Sequence, residues 1–82
     1  MRKRPITEVR EALALAFIAT HLRQTGYPPS VREIGGAAGL RSSSGALRIV
    51  VGLEDAGLIE RDMTRARAIR LTDQGKRIAG VL

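Results

Sequence analysis

SVREIGGAAGLRSSSGALRIVVGLEDAG, residues Ser30 to Gly57, reads as two short helices joined by a tight turn. Ser30 with Glu33 three positions later is a capping box: the Ser30 hydroxyl accepts the Glu33 amide, and the Glu33 carboxylate accepts from Ser30's own N–H. A helix is therefore expected over 31–38. Pro28 and Pro29 lie just before it, where proline is tolerated. Val31, Ile34, Ala37 and Ala38 recur at helical spacing and should form its buried side. Gly39 suits the left-handed position that closes a helix, and Leu40 then turns back inside. Arg41 and the run Ser42, Ser43, Ser44 offer several N-caps for a second helix over 43–56, which turns Ala46, Ile49, Val50 and Leu53 inward and stops at Gly57.

On the opposite side of this second helix lie Ser44, Arg48, Val51 and Asp55, flanked by Gly45, Leu47 and Gly52. A solvated face would carry more Lys and Glu. Small residues, with hydroxyls in the N-terminal half, point to close approach by another surface. Two helices, a Gly-containing turn and a hydroxyl-rich second N-terminus fit a helix-turn-helix, although an ordinary helical hairpin shares the local pattern.

The chain has 82 residues and no cysteine, so it is expected to be one domain (1–82) held by packing alone, without disulfides or thiolate metal sites. Phe17 and Tyr27 are the only aromatic residues, which implies an aliphatic core and argues against base-stacking platforms. His21 is the only histidine, so neither a histidine metal cluster nor a histidine-based triad can be assembled. No cofactor is expected. No apolar run approaches the ~18 residues of a membrane span, and the basic start lacks a signal-peptide core, so a cytoplasmic, nucleoid-associated protein is expected.

The net charge of +6 favours a polyanion partner. Residues 1–27 hold five basic and two acidic side chains, residues 28–60 three and four, and residues 61–82 six and two. The charge lies at the two ends. With DNA as partner, the ends would supply affinity and the nearly neutral middle the base reading.

Outside the central stretch, residues 1–6 form a basic arm that is either functional or simply a charged terminus. Helix 1 is expected over 7–25, capped by Thr7 with Glu8 in its first turn and ended near Gly26. Its stripe of Leu15, Ile18 and Leu22, widened by Leu13, Ala14 and Phe17, is broad enough for a second use as a subunit interface. Leu58 to Arg61 and Ala68 to Leu71 read as paired strands about a turn at 62–67, giving a wing over 58–71. Arg61, Arg65, Arg67 and Arg70 make this the densest positive charge outside the arm. An edge hairpin blunted by charge is the plainer reading. Thr72 and Asp73 then open a C-terminal helix over 73–80, weakened by Gly75 and Gly80. The fold class is thus mainly α with a small β-hairpin, a winged helix-turn-helix with a three-helix core, a two-stranded wing and a short final helix.

At this point the residues resemble the N-terminal DNA-binding domain of the LexA repressor family. The resemblance is carried by Thr25-Gly26-Tyr27-Pro28-Pro29-Ser30-Val31-Arg32-Glu33-Ile34, Gly39-Leu40, the serine run, Leu53-Glu54, Gly57-Leu58-Ile59 and Arg67-Ala68-Ile69. It implies a winged fold, dimeric binding to a palindromic operator in double-stranded DNA, and repression of transcription. It further implies that Ser42, Ser44, Gly45, Leu47 and Arg48 meet base edges and nearby phosphates. Arg32, Arg41, Ser43 and the wing residues Arg61, Arg65 and Arg67 complete the expected DNA-binding set. The groove face departs from the family pattern at Gly45, Leu47 and Ile49, where more polar or bulkier residues are usual. The family's peptidase domain, with its Ser and Lys dyad, is absent from these residues, so no self-cleavage is expected of them. Ile69 to Gly75 looks instead like the wing-to-helix exit of MarR-type regulators, which suggests a self-contained small regulator.

Three functions are compatible with these residues: a winged-helix repressor acting by occupancy without catalysis, an architectural or recombination accessory DNA-binding protein, and a winged-helix protein-interaction module. An enzyme fits least, because the constellations that chemistry needs are missing.

Overall fold

The computed structural model describes residues 9–61 and 69–81. Its elements in chain order are α1 (Val9–Thr25), α2 (Val31–Ala37), α3 (Ser43–Asp55), β1 (Ile59–Arg61), β2 (Ile69–Leu71) and α4 (Asp73–Ala79). β1 and β2 pair antiparallel, with Ile59 opposite Leu71, Glu60 opposite Arg70 and Arg61 opposite Ile69. The architecture is mainly helical, with a two-stranded hairpin after the third helix: a winged helix. The basic arm, the Thr7 cap, and the turn that holds Arg65 and Arg67 lie outside the described residues.

The core is aliphatic. Ala14, Leu15 and Ile18 of α1 meet Ile34 of α2, Ala38, and Ile49, Val50 and Leu53 of α3, while Leu58, Ile59, Ile69 and Leu71 extend the cluster beneath the hairpin. Phe17, Leu22, Val31 and Leu40 pack around its edge. Leu13 is exposed, so the apolar arc of α1 that faces the core is narrower than its sequence suggests. Two assignments to the outer side of α3 are also corrected: Gly52 is buried and Val51 is half-buried, whereas Ile49 is buried as its helical spacing predicts and so stands off the groove face. A 13-residue helix wedged between α2, α1 and β1 has too little free circumference to leave those positions outside.

The turn between α2 and α3 follows from local chemistry. The Ser30 hydroxyl accepts the Glu33 amide at 3.1 Å, and the Glu33 carboxylate accepts the Ser30 amide at 2.8 Å. Ala38 caps the other end. Gly39 then takes φ 82°, so that its own amide donates to the Gly36 carbonyl and the Leu40 amide donates to that of Gly35 at 2.8 Å. This is the Schellman arrangement, and it needs the left-handed backbone that a side chain disfavours. α3 ends in the same way: Gly57 has φ 78°, its amide donates to the Glu54 carbonyl, and the Leu58 amide donates to that of Leu53.

α2 and α3 touch where both are small. A Cβ on Gly35 would overlap the Ala46 Cβ and stand 3.2 Å from the Ala46 Cα. At the α1–α2 corner, the Thr25 hydroxyl donates to the His21 carbonyl at 2.8 Å, and His21 Nδ1 donates to the Tyr27 carbonyl at 3.0 Å. That second bond requires the proton on Nδ1. The Phe17 and Tyr27 rings flank the imidazole, with centroids 5.6 and 5.5 Å away, so His21 serves the corner as a packed and hydrogen-bonded group.

Candidate nucleic-acid interface

α3 carries the candidate interface, and its N-terminus is held by one residue of the serine run. Ser42 is the N-cap, its hydroxyl accepting the Gly45 amide at 3.0 Å. Ser43 and Ser44 are therefore the first helical residues and are exposed, as are Arg41 before the cap and Arg48 one turn further on. Ser43, Ser44, Leu47 and Arg48 stand three and four positions apart, which makes them one continuous outer face over the first two turns. Gly45 is half-buried, and a Cβ there would stand 2.9 Å from the Ser42 Oγ that caps the helix, with Leu40 in ordinary contact at 3.7 Å. Arg32 is exposed on α2. The helix is roughly 20 Å long at 1.5 Å per residue, enough to enter a major groove about 12 Å wide.

The charge along α3 is polarised. Its first turn holds no acidic residue and its last holds no basic one, while Glu54 and Asp55 close the helix. Carboxylates at a helix C-terminus face the negative end of the macrodipole and need compensation. For Glu54 it comes from β1: Arg61 reaches the Glu54 Oε1 with Nε at 3.2 Å and Nη2 at 3.0 Å, the two side chains being 24% and 36% exposed. Arg61, expected among the DNA-binding residues, is thus turned toward α3 and paired with Glu54. On the outer face of the hairpin Arg70 pairs across the strands with Glu60, and the carboxylate's hydrogen bond and charge raise the Arg70 pKa above its ordinary value. Both described hairpin arginines therefore have acidic partners on the protein. Arg65 and Arg67 lie outside the described residues.

The joint behind the hairpin was not legible from sequence. Thr72 caps α4, accepting the Gly75 amide at 2.9 Å, while its hydroxyl donates to the Gly57 carbonyl at 2.7 Å and its amide to the Leu58 carbonyl at 3.0 Å. Gly75 rests so closely on the Leu58 carbonyl that any Cβ there would overlap it. The only signal was a Thr followed three residues later by a Gly, which reads as a cap and nothing more. Glu54 gave no signal either, since its partner is seven positions away across a turn. Among the described residues no helix is long and apolar enough to cross a membrane.

Comparison with known proteins fits this arrangement. The family model of the LexA DNA binding domain matches residues 3–68. The chain is 48% identical over 64 residues to the LexA repressor of Pelotomaculum thermopropionicum, covering 78% of this chain and 32% of that protein. It is 49% identical over 65 residues to the LexA repressor of Bacillus subtilis, covering 79% and 32%. With the LexA repressor of Oenococcus oeni the identity is 42% over 76 residues, covering 93% and 36%. The chain thus spans about a third of the length of these relatives. A match over most of its residues, on a helix-turn-helix followed by a hairpin, places this chain in the LexA DNA-binding-domain family.

Proposed function

We propose that the protein is a sequence-specific double-stranded DNA-binding repressor that acts by occupying its operator and performs no catalysis. The observation that carries this reading is the outer face of α3: exposed hydroxyls at Ser43 and Ser44, an exposed cation at Arg48, and no carboxylate until the last turn. Such a face presents donors and positive charge to base edges and phosphates, and the acidic C-terminal end directs entry by the N-terminal turns. Ser42, Ser43, Ser44, Gly45, Leu47 and Arg48 address the major groove in this scheme, and Arg32 and Arg41 the flanking phosphates. The arm at 1–6 with Arg65 and Arg67 of the wing adds sequence-independent charge, and Arg61 supports the wing through Glu54. Two chains on a palindrome, in the cytoplasm at the nucleoid, complete the proposal, because one motif reads few bases alone.

Selection of bound sites from random duplex DNA tests it directly. A recovered palindrome supports the reading; uniform coating points to an architectural protein, and no binding to an interaction module. On the recovered site Arg48→Ala should cost about 1–3 kcal/mol and relax preference at one or two positions per half-site. Arg65→Ala and Arg67→Ala should weaken all sequences alike and lower the slope of log affinity against log salt by roughly one for each phosphate left unneutralised. Equal weakening on specific and non-specific DNA for Arg48→Ala, with a reduced salt slope, would move Arg48 to the backbone.

A further inference from the structure

Leu47 is 44% exposed in the middle of the polar face of α3. Its neighbours on that face are Ser43, Ser44 and Arg48, all exposed, and the apolar side of the same helix is occupied by the core. We infer that Leu47 reads the C5 methyl group of a thymine in the operator, so that this base is recognised by apolar contact and not by hydrogen bonding. The inference rests on the DNA-binding reading above and adds the chemistry of one base contact to it.

Three observations favour a DNA methyl over a protein partner as the group that covers Leu47. First, the side chain is isolated. Among the described residues the other large exposed hydrophobics are Val9 and Leu13 on α1, Tyr27 in the α1–α2 corner and Val81 after α4, and none of them is on α3. A protein interface needs a contiguous apolar area, whereas the major groove offers single methyl groups set among polar edges, and the thymine C5 methyl is the apolar feature it displays there. Second, the polar surroundings match. Hydroxyls and a guanidinium beside the leucine suit a surface that alternates acceptors, donors and a methyl. Third, the placement is in the second turn, where a helix entering by its N-terminus brings side chains to base edges. Leu47 and Arg48 are consecutive, and the helix rises 1.5 Å per residue against 3.4 Å per base pair, so the two address the same or adjacent base pairs. A guanine contacted by Arg48 should therefore lie within a step or two of the thymine.

The test uses the full 82-residue chain and the site selected from random DNA. That duplex is resynthesised with deoxyuridine replacing thymidine one position at a time, which removes the methyl and leaves every hydrogen-bonding group in place. At one thymine per half-site the substitution should weaken binding by about fourfold, the equivalent of one buried methyl or methylene. Leu47→Ala should bind the thymidine and deoxyuridine duplexes equally. Leu47→Met, which keeps an apolar tip, should retain the preference, and circular dichroism melts should be unchanged for both variants because the position is exposed. If selection returns no consensus, the sequence-specific reading itself fails and this inference with it. If a consensus appears but no single deoxyuridine weakens binding, or the effect persists undiminished in Leu47→Ala, only the methyl contact is refuted. A Leu47→Ala protein that changes its number of chains in sedimentation, with the deoxyuridine response intact, would assign the leucine to a protein contact and overturn the inference.

Discussion

Gly35 and Gly36 are adjacent in α2, and alanine should act on them in opposite directions. Both lie in the helix with φ outside the left-handed region, so each substitution gains helix propensity, about 1 kcal/mol in a helix interior. At Gly36 nothing stands within 4 Å of the added Cβ, and that gain should appear as stabilisation of about 0.5–1 kcal/mol. At Gly35 the new Cβ overlaps the Ala46 Cβ and lies 3.2 Å from the Ala46 Cα, and both atoms are fixed to the backbone of α3. No rotamer can relieve this. The helices would have to part by roughly 1 Å to restore carbon contacts of about 3.5–4.0 Å, loosening the packing all along the α2–α3 seam. Overpacking of that kind costs about 1–3 kcal/mol, which outweighs the propensity gain. The difference, a net destabilisation of about 1 kcal/mol, should lower the midpoint of thermal unfolding by roughly 4–8 °C in a domain of this size. Thermal and urea melts followed by circular dichroism measure both variants, and adding Ala46→Gly to Gly35→Ala should recover part of the stability, giving a double mutant milder than the sum of the singles. Gly35→Ala melting at or above the wild type would refute the close approach of α2 and α3.

Further tests address the joints of the fold. Ser30→Ala should cost about 1 kcal/mol through loss of the α2 cap, and Ser30→Gly only a few tenths, as read by urea unfolding; equal effects would show that the hydroxyl is not capping. Thr72→Val keeps the branched shape but removes both hydroxyl bonds, and should destabilise by about 2 kcal/mol, while Thr72→Ser remains close to wild type. A double-mutant cycle on Glu54→Gln and Arg61→Gln should give a coupling of about 0.5–1 kcal/mol in dilute buffer that shrinks at high salt, since the pair is only partly buried. Zero coupling in dilute buffer would remove the pair from the account of how the wing is held.

Sequence carried the local parts of this fold well. The capping box at Ser30, the left-handed Gly39, the stop at Gly57 and the Thr72 cap depend on residues within a few positions of one another, and the structure forms them. What sequence left open was set by contacts between distant elements. Several serines could cap α3, and the choice of Ser42 decides which of the others begin the outer face. Val51 and Gly52 seemed available to that face until α1, α2 and β1 closed around the helix. Arg61 carried charge in a basic segment, and only the fold brings Glu54 beside it. Gly75 looked like a defect in α4, yet it is the position where the helix rests on the Leu58 carbonyl. Periodicity reports which side of a helix is apolar; it does not report which polar residue finds a partner across a turn.

The hairpin meets the C-terminal end of α3 at three separate points: Arg61 on Glu54, the Leu58 amide on the Leu53 carbonyl, and the Thr72 hydroxyl on the Gly57 carbonyl. Three attachments leave less hinge freedom than one alone would. The strands and α3 therefore behave as a single calliper with a set opening. On a duplex, a mismatch between that opening and the local width of the grooves falls on the nucleic acid, which must bend or twist to fit. Bending a site costs of order 1–6 kcal/mol and depends on the base steps being deformed. A stiff calliper would thus discriminate among sequences that none of its side chains touch, through their compliance.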